Sequence, residues 1–578
     1  MLLCIFTIFG WLSKRLQSRI LRGRSPSSLI SPIRSSRRKR LRAIALLLMV
    51  ATAVATACSS NAPPPLRSSF DPTNLDHLVW VRPGEVDSLH PHRTTQIFSW
   101  QVLDQIYDTL LAFDREGNIR PNLAREWQIS PDGLTLTFQL RQGVRCHDGT
   151  AFDADDVKYT IDQAIDPAQP SLTRANWGAI AQVEVLDPLQ VKVQFSEPFG
   201  AFLSFMADPY ASMMCDTTFQ AESDQTNTED KLDVAVGTGP WQVQQWTPSE
   251  ELVLKRNAEY INYGRPVNNP GAPYLEQLII RSDSDDFSRL SELRQHDAHL
   301  VTEPPLNRLK EMRQDEELQI HLAKNTGQSL FLEFAVSRPP FDNIKARQAV
   351  AHALDLDGAI ASVFGDLVQR DRCPIAAGVV GHDPSWCDRY DYHYDPEKAR
   401  ALLAELGYGS TNPMQVKLIS WVGDRREDLL DVLRFQLAAV GIEADLDVMD
   451  IRTLNARVQL ENEKTNGEGS FDLMGWAWYD ADILYALWHS PGAYGGYQSP
   501  ELDALLEDTR LIADPKERLI SIRAVQAYLL QNAVVIPVYS PGWLWTYASR
   551  AQLDGFTIGP FNRPLFNDVR WVTSEASR

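Results

Sequence analysis

The chain lacks the short motifs that mark several classes of enzyme and metal protein. Its 578 residues contain no Gly-x-Ser-x-Gly nucleophile elbow, no His-Glu-x-x-His zinc motif and no phosphate-binding P-loop. No Cys-x-x-Cys pair is present either, which excludes a zinc ribbon or a redox site of that type. We therefore expect a protein that is not an enzyme, with no cofactor and no resident metal ion.

Acidic residues are absent from residues 1–57, which carry 11 Lys and Arg. The rest of the chain has 45 basic and 75 acidic residues, a net charge near −30. So acidic a protein is not expected to bind nucleic acid, because nucleic-acid-binding proteins carry basic patches. The acidity serves solubility or, alternatively, attracts a cationic ligand.

The first 57 residues are typical of an export signal with an N-terminal extension. The basic run RRKRLR at 37–42 precedes 15 apolar residues at 43–57, too few to span a membrane comfortably. The segment ends in Ala-Thr-Ala before Cys58 and resembles a bacterial lipobox, with Ala55 at the usual Leu position. We expect a periplasmic or extracytoplasmic protein, lipid-anchored to the membrane through Cys58. The alternative is a plain secretory signal.

Residues 58–75 are rich in Pro and Ser and are predicted to be a tether. After residue 58, no stretch is apolar enough to span a membrane. Cys373 and Cys387 lie 14 residues apart in a Pro/Gly-rich segment, where an oxidising compartment would allow a disulfide. Two free thiols are the alternative.

Strand and helix patterns alternate from residue 76 onward, which predicts a mixed α/β protein. Residues 77–81 and 134–140 are predicted strands, and residues 97–111 have helical spacing. Asp153 and the pair Asp395-Pro396 are predicted helix starts. A further helix over 426–440 precedes a strand over 442–448.

Residues 134–166 read LTLTFQLRQGVRCHDGTAFDADDVKYTIDQAID, which resembles the signature of the family-5 bacterial solute-binding proteins. This family includes oligopeptide-, dipeptide- and nickel-binding proteins. Further similar blocks follow in the family's order at 237–241, 347–355, 394–408 and 475–506. Cys146 stands where the family usually has an aromatic residue, and we interpret it as a small core residue.

The resemblance implies a class-II periplasmic-binding fold, α/β, with two lobes joined by a hinge. It implies lobe I at 76–102, 233–330 and 540–578, an inserted α/β subdomain at 103–232, and lobe II at 331–539. It also implies a monomer that binds a solute between its lobes and delivers it to the permease subunits of an ABC transporter.

Residues 471–497 contain eight aromatic residues and three aspartates, a density that indicates a binding surface. In peptide-binding relatives, an Asp three residues after the Gly-Trp tryptophan holds the peptide's amino group. That position is Tyr479 here, and Asp480 follows it. Asp480 therefore either binds a ligand amine after a small shift or caps a turn, and Asp482 is expected to be mainly structural. The predicted ligand-binding residues are Trp476, Trp478, Tyr479, Asp480, Asp482 and Tyr497.

Peptide capture is the leading hypothesis, and the same fold holding a metal chelate, an opine or a sugar is the alternative. A signalling or chaperone role would use the same cleft. His90 and His92 flank Pro91 in a segment that resembles the cleft entrance of the family. We interpret them as ordinary loop histidines rather than metal ligands.

Overall fold

The computed structural model describes residues 76–216, 235–323, 326–421, 425–449, 470–477, 479–490, 496–548 and 553–571. They belong to one compact unit. The export-signal, tether and Cys58 predictions fall on residues outside this part of the chain. Within it, no helix is both long and apolar enough to cross a membrane.

Lobe I is built on a seven-stranded mixed sheet. Numbered in chain order, its strands follow one another across the sheet as β12 (Leu318–Ala323), β19 (Trp543–Ala548), β11 (Leu300–Thr302), β1 (His77–Arg82), β10 (Gln277–Ser282), β9 (Glu251–Arg256) and β8 (Trp241–Thr247). Strands β1, β10 and β11 run parallel, so their carboxyl ends lie at one edge.

Helices cover both faces of this sheet. They are α1 (Ile97–Ile106), α4 (Asp286–Gln295) and the short α5 (Leu309–Met312). Leu78 and Trp80 of β1 pack in one core with α1, whereas Val79 and Val81 pack in another with α4. Such a doubly covered strand is apolar at successive positions rather than at alternate ones. Two small antiparallel strand pairs complete the lobe: β20 (Leu553–Asp554) with β23 (Arg570–Trp571), and between them the hairpin of β21 (Thr557–Gly559) and β22 (Arg563–Leu565).

A smaller α/β subdomain is inserted between α1 and β8. Its elements are the pair β2 (Leu111–Phe113) and β3 (Ile119–Pro121), the antiparallel sheet β4 (Ala124–Ile129), β5 (Thr135–Leu140), β7 (Gln190–Phe195) and β6 (Ile180–Asp187), and the helices α2 (Ala154–Ile165) and α3 (Phe202–Phe205). Asp153 caps α2 in a capping box with Asp156, as its position before the acidic first turn predicts.

Lobe II contains a six-stranded sheet flanked by helices. Its strands lie in the order β14 (Val368–Arg370), β18 (Val535–Pro541), β13 (Gln328–Phe334), β17 (Ser470–Ala477), β15 (Met414–Trp421) and β16 (Ile442–Met449). Its helices are α6 (Ile344–Ala353), α7 (Leu356–Phe364), α8 (Pro384–Cys387), α9 (Pro396–Glu405), α10 (Arg426–Ala438), α11 (Ile483–Trp488), α12 (Pro500–Leu511) and α13 (Pro515–Gln531).

Two segments carry the chain between the lobes. The first runs from Ala323 at the end of β12 to Gln328 at the start of β13, and the second from Pro541 to Trp543. The Thr326 hydroxyl donates to the Pro541 carbonyl over 3.2 Å, so the two crossings lie side by side. The predicted two-lobe α/β architecture is confirmed.

Candidate functional site: the cleft between the lobes

A cavity of about 850 Å³ lies between the two lobes beside the crossing segments. On lobe I, Pro83, Ser284 and Glu303 line it, and they follow β1, β10 and β11. The cavity therefore lies at the carboxyl ends of parallel strands, where α/β proteins commonly bind ligands. Its volume falls within the range of about 300–1,000 Å³ that is usual for small-molecule sites.

Lobe II supplies the opposite wall. Phe364, Leu367 and Tyr539 are buried and form an apolar surface, while Gln328 contributes an amide at the start of β13. Arg425, at the start of α10, lies at the polar end and is paired with Asp428 over 3.0 Å. A ligand here would contact both lobes at once.

Arg289 of α4 is the buried cation of the lobe I wall. Its guanidinium donates to the carbonyls of Asp283 at 2.7 Å and Thr302 at 3.1 Å, and also to the carbonyl of Glu303. Burial lowers the pKa of Arg289, and neighbouring carboxylates, first Glu303, act in the opposite direction. Because its donors are engaged with backbone, Arg289 fixes the loops at the strand ends rather than presenting a free charge.

Asp480 lies in the segment after β17, outside the lining of this cavity. Its carboxylate has no exposed surface and is paired with Arg518 of α13, through contacts of 2.5 and 2.9 Å. It also accepts the backbone N–H of Asp482 at 2.8 Å, which is the turn-capping contact considered from sequence. Burial raises the pKa of Asp480, but the Arg518 charge and hydrogen bonds outweigh it and leave that pKa lowered.

Asp482 makes a second, parallel ion pair. Arg510 of α12 donates to its two carboxylate oxygens at 2.6 and 2.7 Å. The same guanidinium lies 3.6 Å from the centre of the Tyr485 ring, a cation–π contact. Two bidentate arginine–carboxylate ion pairs thus join the segment between β17 and α11 to α12 and α13.

The other predicted ligand residues are placed differently. Tyr479 is buried, and its ring lies 5.9 Å from that of Phe205 in the inserted subdomain. Tyr497 is partly buried, and its hydroxyl lies 3.1 Å from that of Tyr528. Trp476 lies on β17, whose backbone alone is described, and Trp478 lies outside the described residues. The ligand contacts predicted for these six residues stay predictions.

A row of rings connects the lobe I entrance segment to lobe II. Neighbouring ring centres lie 5.2 Å apart for His90 and His92, 5.5 Å for His92 and Trp177, 4.9 Å for Trp177 and Phe205, and 5.9 Å for Phe205 and Tyr479. Burial lowers the pKa of His92 to about 3, so its ring is neutral at physiological pH. Trp177 and Phe205 could not be identified from the sequence, because nothing in their local pattern links them to residues so distant in the chain.

The four cysteines of the described body form two disulfides. Cys373 is bonded to Cys387, as considered from their spacing. Cys146 lies in the buried core, as interpreted from sequence, but it is also bonded to Cys215, a disulfide that was not predicted. The reason is tertiary: the turn after β5 and the segment after α3 meet in the fold, although 69 residues separate them.

Two groups of potential metal ligands occur among the described residues. One contains Cys146, Asp156 and Cys215, and the other Asp371, Cys373 and His382. Each group includes a disulfide-bonded sulfur, which is not a thiolate ligand.

Comparisons with known proteins agree with this geometry. The family model described as bacterial extracellular solute-binding proteins, family 5, matches residues 118–497. The glutathione-binding protein GsiB of Shigella flexneri is 28% identical over 497 residues, which cover 83% of this chain and 92% of GsiB.

Two solved structures extend the comparison. The periplasmic binding protein DppA of Helicobacter pylori, in complex with the peptide STSA, is 25% identical with a TM-score of 0.67, over 86% of this chain and 98% of DppA. NikZ of Campylobacter jejuni, in complex with Ni(L-His), shows the fold alone: 21% identity and a TM-score of 0.67, over 84% of this chain and 97% of NikZ. These structures confirm the predicted class-II periplasmic-binding fold.

Proposed function

Because this chain belongs to the bacterial extracellular solute-binding proteins of family 5, we propose that it captures a short peptide between its lobes. Members of this family bind solutes outside the cytoplasm for ABC permeases and are not enzymes. The peptide is the specific part of the proposal. Two similar proteins support it: GsiB is named as a glutathione-binding protein, and the structure of DppA holds the tetrapeptide STSA.

The cavity between the lobes is the observation that carries the proposal. Its lobe I wall lies at the carboxyl ends of parallel strands, and its lobe II wall combines an apolar surface with the Gln328 amide. Apolar surface accepts varied side chains, whereas polar groups at the ends hold a peptide backbone. Ala477, the last residue of β17, pairs with Gln328, so the predicted aromatic segment reaches the edge of the cavity at the end of β17.

Calorimetric titration tests the proposal. The purified protein is unfolded and refolded to remove copurified solute, then titrated with glutathione and with the peptide Ser-Thr-Ser-Ala. Micromolar or tighter binding of either is expected, and mass spectrometry of the solute released on unfolding should identify a peptide. Binding of neither probe, together with a non-peptide released solute, would contradict the proposal.

A metal chelate is the second candidate, because NikZ has the same fold and its structure holds Ni(L-His). Titration with Ni(L-His)₂ under the same conditions distinguishes it from peptide binding. An opine or a sugar would be identified by the same mass spectrum.

We further propose that the mature chain begins at a lipidated Cys58, preceded by a signal peptide, and acts as a monomer. The basic run and the apolar stretch before Cys58 support this proposal. The buried disulfides support export, because disulfides persist in oxidising compartments.

A further inference from the structure

We infer that Asp480 is a positioning residue that raises ligand affinity by docking lobe II onto the inserted subdomain, not by holding a ligand amine. This inference rests on the proposed function and specifies how the segment after β17 contributes to it. It differs from the sequence-based expectation, in which the Asp480 carboxylate meets the amino group of a peptide.

Asp480 accepts three hydrogen bonds within lobe II. One oxygen accepts from Arg518 at 2.5 Å and from the Asp482 N–H at 2.8 Å, and the other accepts from Arg518 at 2.9 Å. The Arg518 Nε–H donates to the Thr509 carbonyl at 2.9 Å, so the guanidinium is held on two sides. A ligand ammonium would have to displace Arg518 and leave a buried cation without its carboxylate, which is unfavourable.

The inserted subdomain packs directly on this pair. The Gly200 N–H donates to the Arg510 carbonyl at 2.6 Å. A Cβ atom on Gly200 would lie 2.4 Å from the Ile512 carbonyl oxygen and 2.9 Å from Cδ of Arg518. Ser204, on the subdomain side, contributes to lowering the pKa of Asp480. The position at Gly200 therefore requires the absence of a side chain.

These contacts connect the ion pair to closure of the cleft. The subdomain is part of the first half of the molecule, whereas Asp480, Arg510 and Arg518 belong to lobe II. Holding the lobes together retains a solute between them, whatever charge that solute carries. The Asp480–Arg518 and Asp482–Arg510 pairs fix the lobe II surface that receives Gly200, so their loss weakens docking.

The test compares Ser-Thr-Ser-Ala with its des-amino analogue, in which hydrogen replaces the α-amino group. The variants are Asp480→Asn, Arg518→Lys and Gly200→Ala, and Asp431→Asn is the control, because Asp431 forms an exposed pair with Arg434 on α10. Each of the three variants should weaken binding of both probes by the same factor, about tenfold, which corresponds to ~1.4 kcal/mol. The control should match wild type. A loss confined to the probe with the amino group would overturn the inference.

Hydrogen exchange provides the second measurement and needs no ligand. The peptide fragment that contains Gly200 should exchange faster in Asp480→Asn and Arg518→Lys than in wild type and in Asp431→Asn. If Asp480→Asn fails to fold, Arg518→Lys decides alone, because it retains the charge and is the milder change. Unchanged exchange in the variants that fold would overturn the inference. If wild type binds neither probe and releases a non-peptide solute, but the exchange responds, peptide capture fails while the docking role stands.

Discussion

At the scale of single residues, Asp208 is a buried carboxylate for which the described residues provide no ion-pair partner. It is 2% exposed and accepts from the Trp100 indole N–H and the Tyr210 backbone N–H. Burial raises its pKa to about 7, with Arg563 and Asp104 acting in opposite directions. The folded state therefore binds a proton on Asp208 more tightly than the unfolded state does.

Substitution of this residue should change the pH dependence of stability. A raised carboxyl pKa gives stability that is complete below pH ~4 and is lost as the pH rises through about 7. The free energy of unfolding of Asp208→Asn, relative to wild type, should therefore increase by ~2 kcal/mol between pH 5 and pH 8. Urea unfolding at both pH values measures it, and an unchanged difference would contradict the assigned pKa.

Sequence identified the residues of the segment after β17 but not their partners. The aromatic and acidic density at 471–497 marks Tyr479, Asp480 and Asp482 as unusual. Arg510 and Arg518, however, lie on helices 28 and 38 residues further along the chain, where their spacing is that of ordinary helical arginines. Only the packing of those helices beneath the segment brings each guanidinium to its carboxylate.

At the scale of elements, helix starts were predicted more accurately than helix ends. Asp153 and Asp395 each cap the helix that follows, as predicted, because a short polar side chain can accept the orphan N–H groups of the first turn. The predicted helix over 97–111 instead ends at Ile106, and the chain then forms β2. The apolar residues of 107–111 fit a strand as well as a helix, and periodicity alone does not separate the two.

Removal of the α2 cap gives a direct test at this scale. Asp153→Ala removes an acceptor for the N–H of Asp155 and half of the capping box, which should lower the free energy of unfolding by ~1 kcal/mol. Asp155→Ala, in the same turn but without a role as the cap, is the matched control and should cost less. Equal losses would show that first-turn charge, and not the cap, stabilises α2.

The two disulfides should differ in their contributions to stability. In the chain-entropy model, Cys146–Cys215 closes 69 residues and contributes ~4 kcal/mol, whereas Cys373–Cys387 closes 14 and contributes ~3 kcal/mol. Denaturant unfolding of the two paired Cys→Ala variants measures both values. Thiol labelling of the unfolded, unreduced protein should modify none of the four cysteines. Labelling of either pair would show that its disulfide does not form.

At the scale of the whole molecule, the order of sequence blocks predicted the architecture, and the hinge followed from the family resemblance. The cavity could not be predicted in the same way. Its walls come from Pro83, Glu303, Phe364 and Tyr539, which are distant in sequence and ordinary in their local patterns. They meet only because the ends of strands from two sheets face one another.

The proposed membrane anchor belongs to the scale of the whole chain and has its own test. Cys58→Ser should release the protein from the membrane fraction or leave it unprocessed, because the residue that would carry the lipid is lost. Fractionation with N-terminal sequencing measures both outcomes, with Ser59→Ala as the control. Unchanged partition and a mature N-terminus elsewhere would contradict the anchor.

The pairing of the cysteines has a consequence for biogenesis. Four cysteines allow three connectivities, and this protein has the consecutive one, first with second and third with fourth. A chain that emerges N-terminus first exposes Cys146 and Cys215 before Cys373 has left the export channel. An oxidase that joins thiols in order of appearance therefore makes the native bonds, with no need for an isomerase. Cys58 emerges earlier than all four, and a thioether to lipid would keep its sulfur from competing for Cys146.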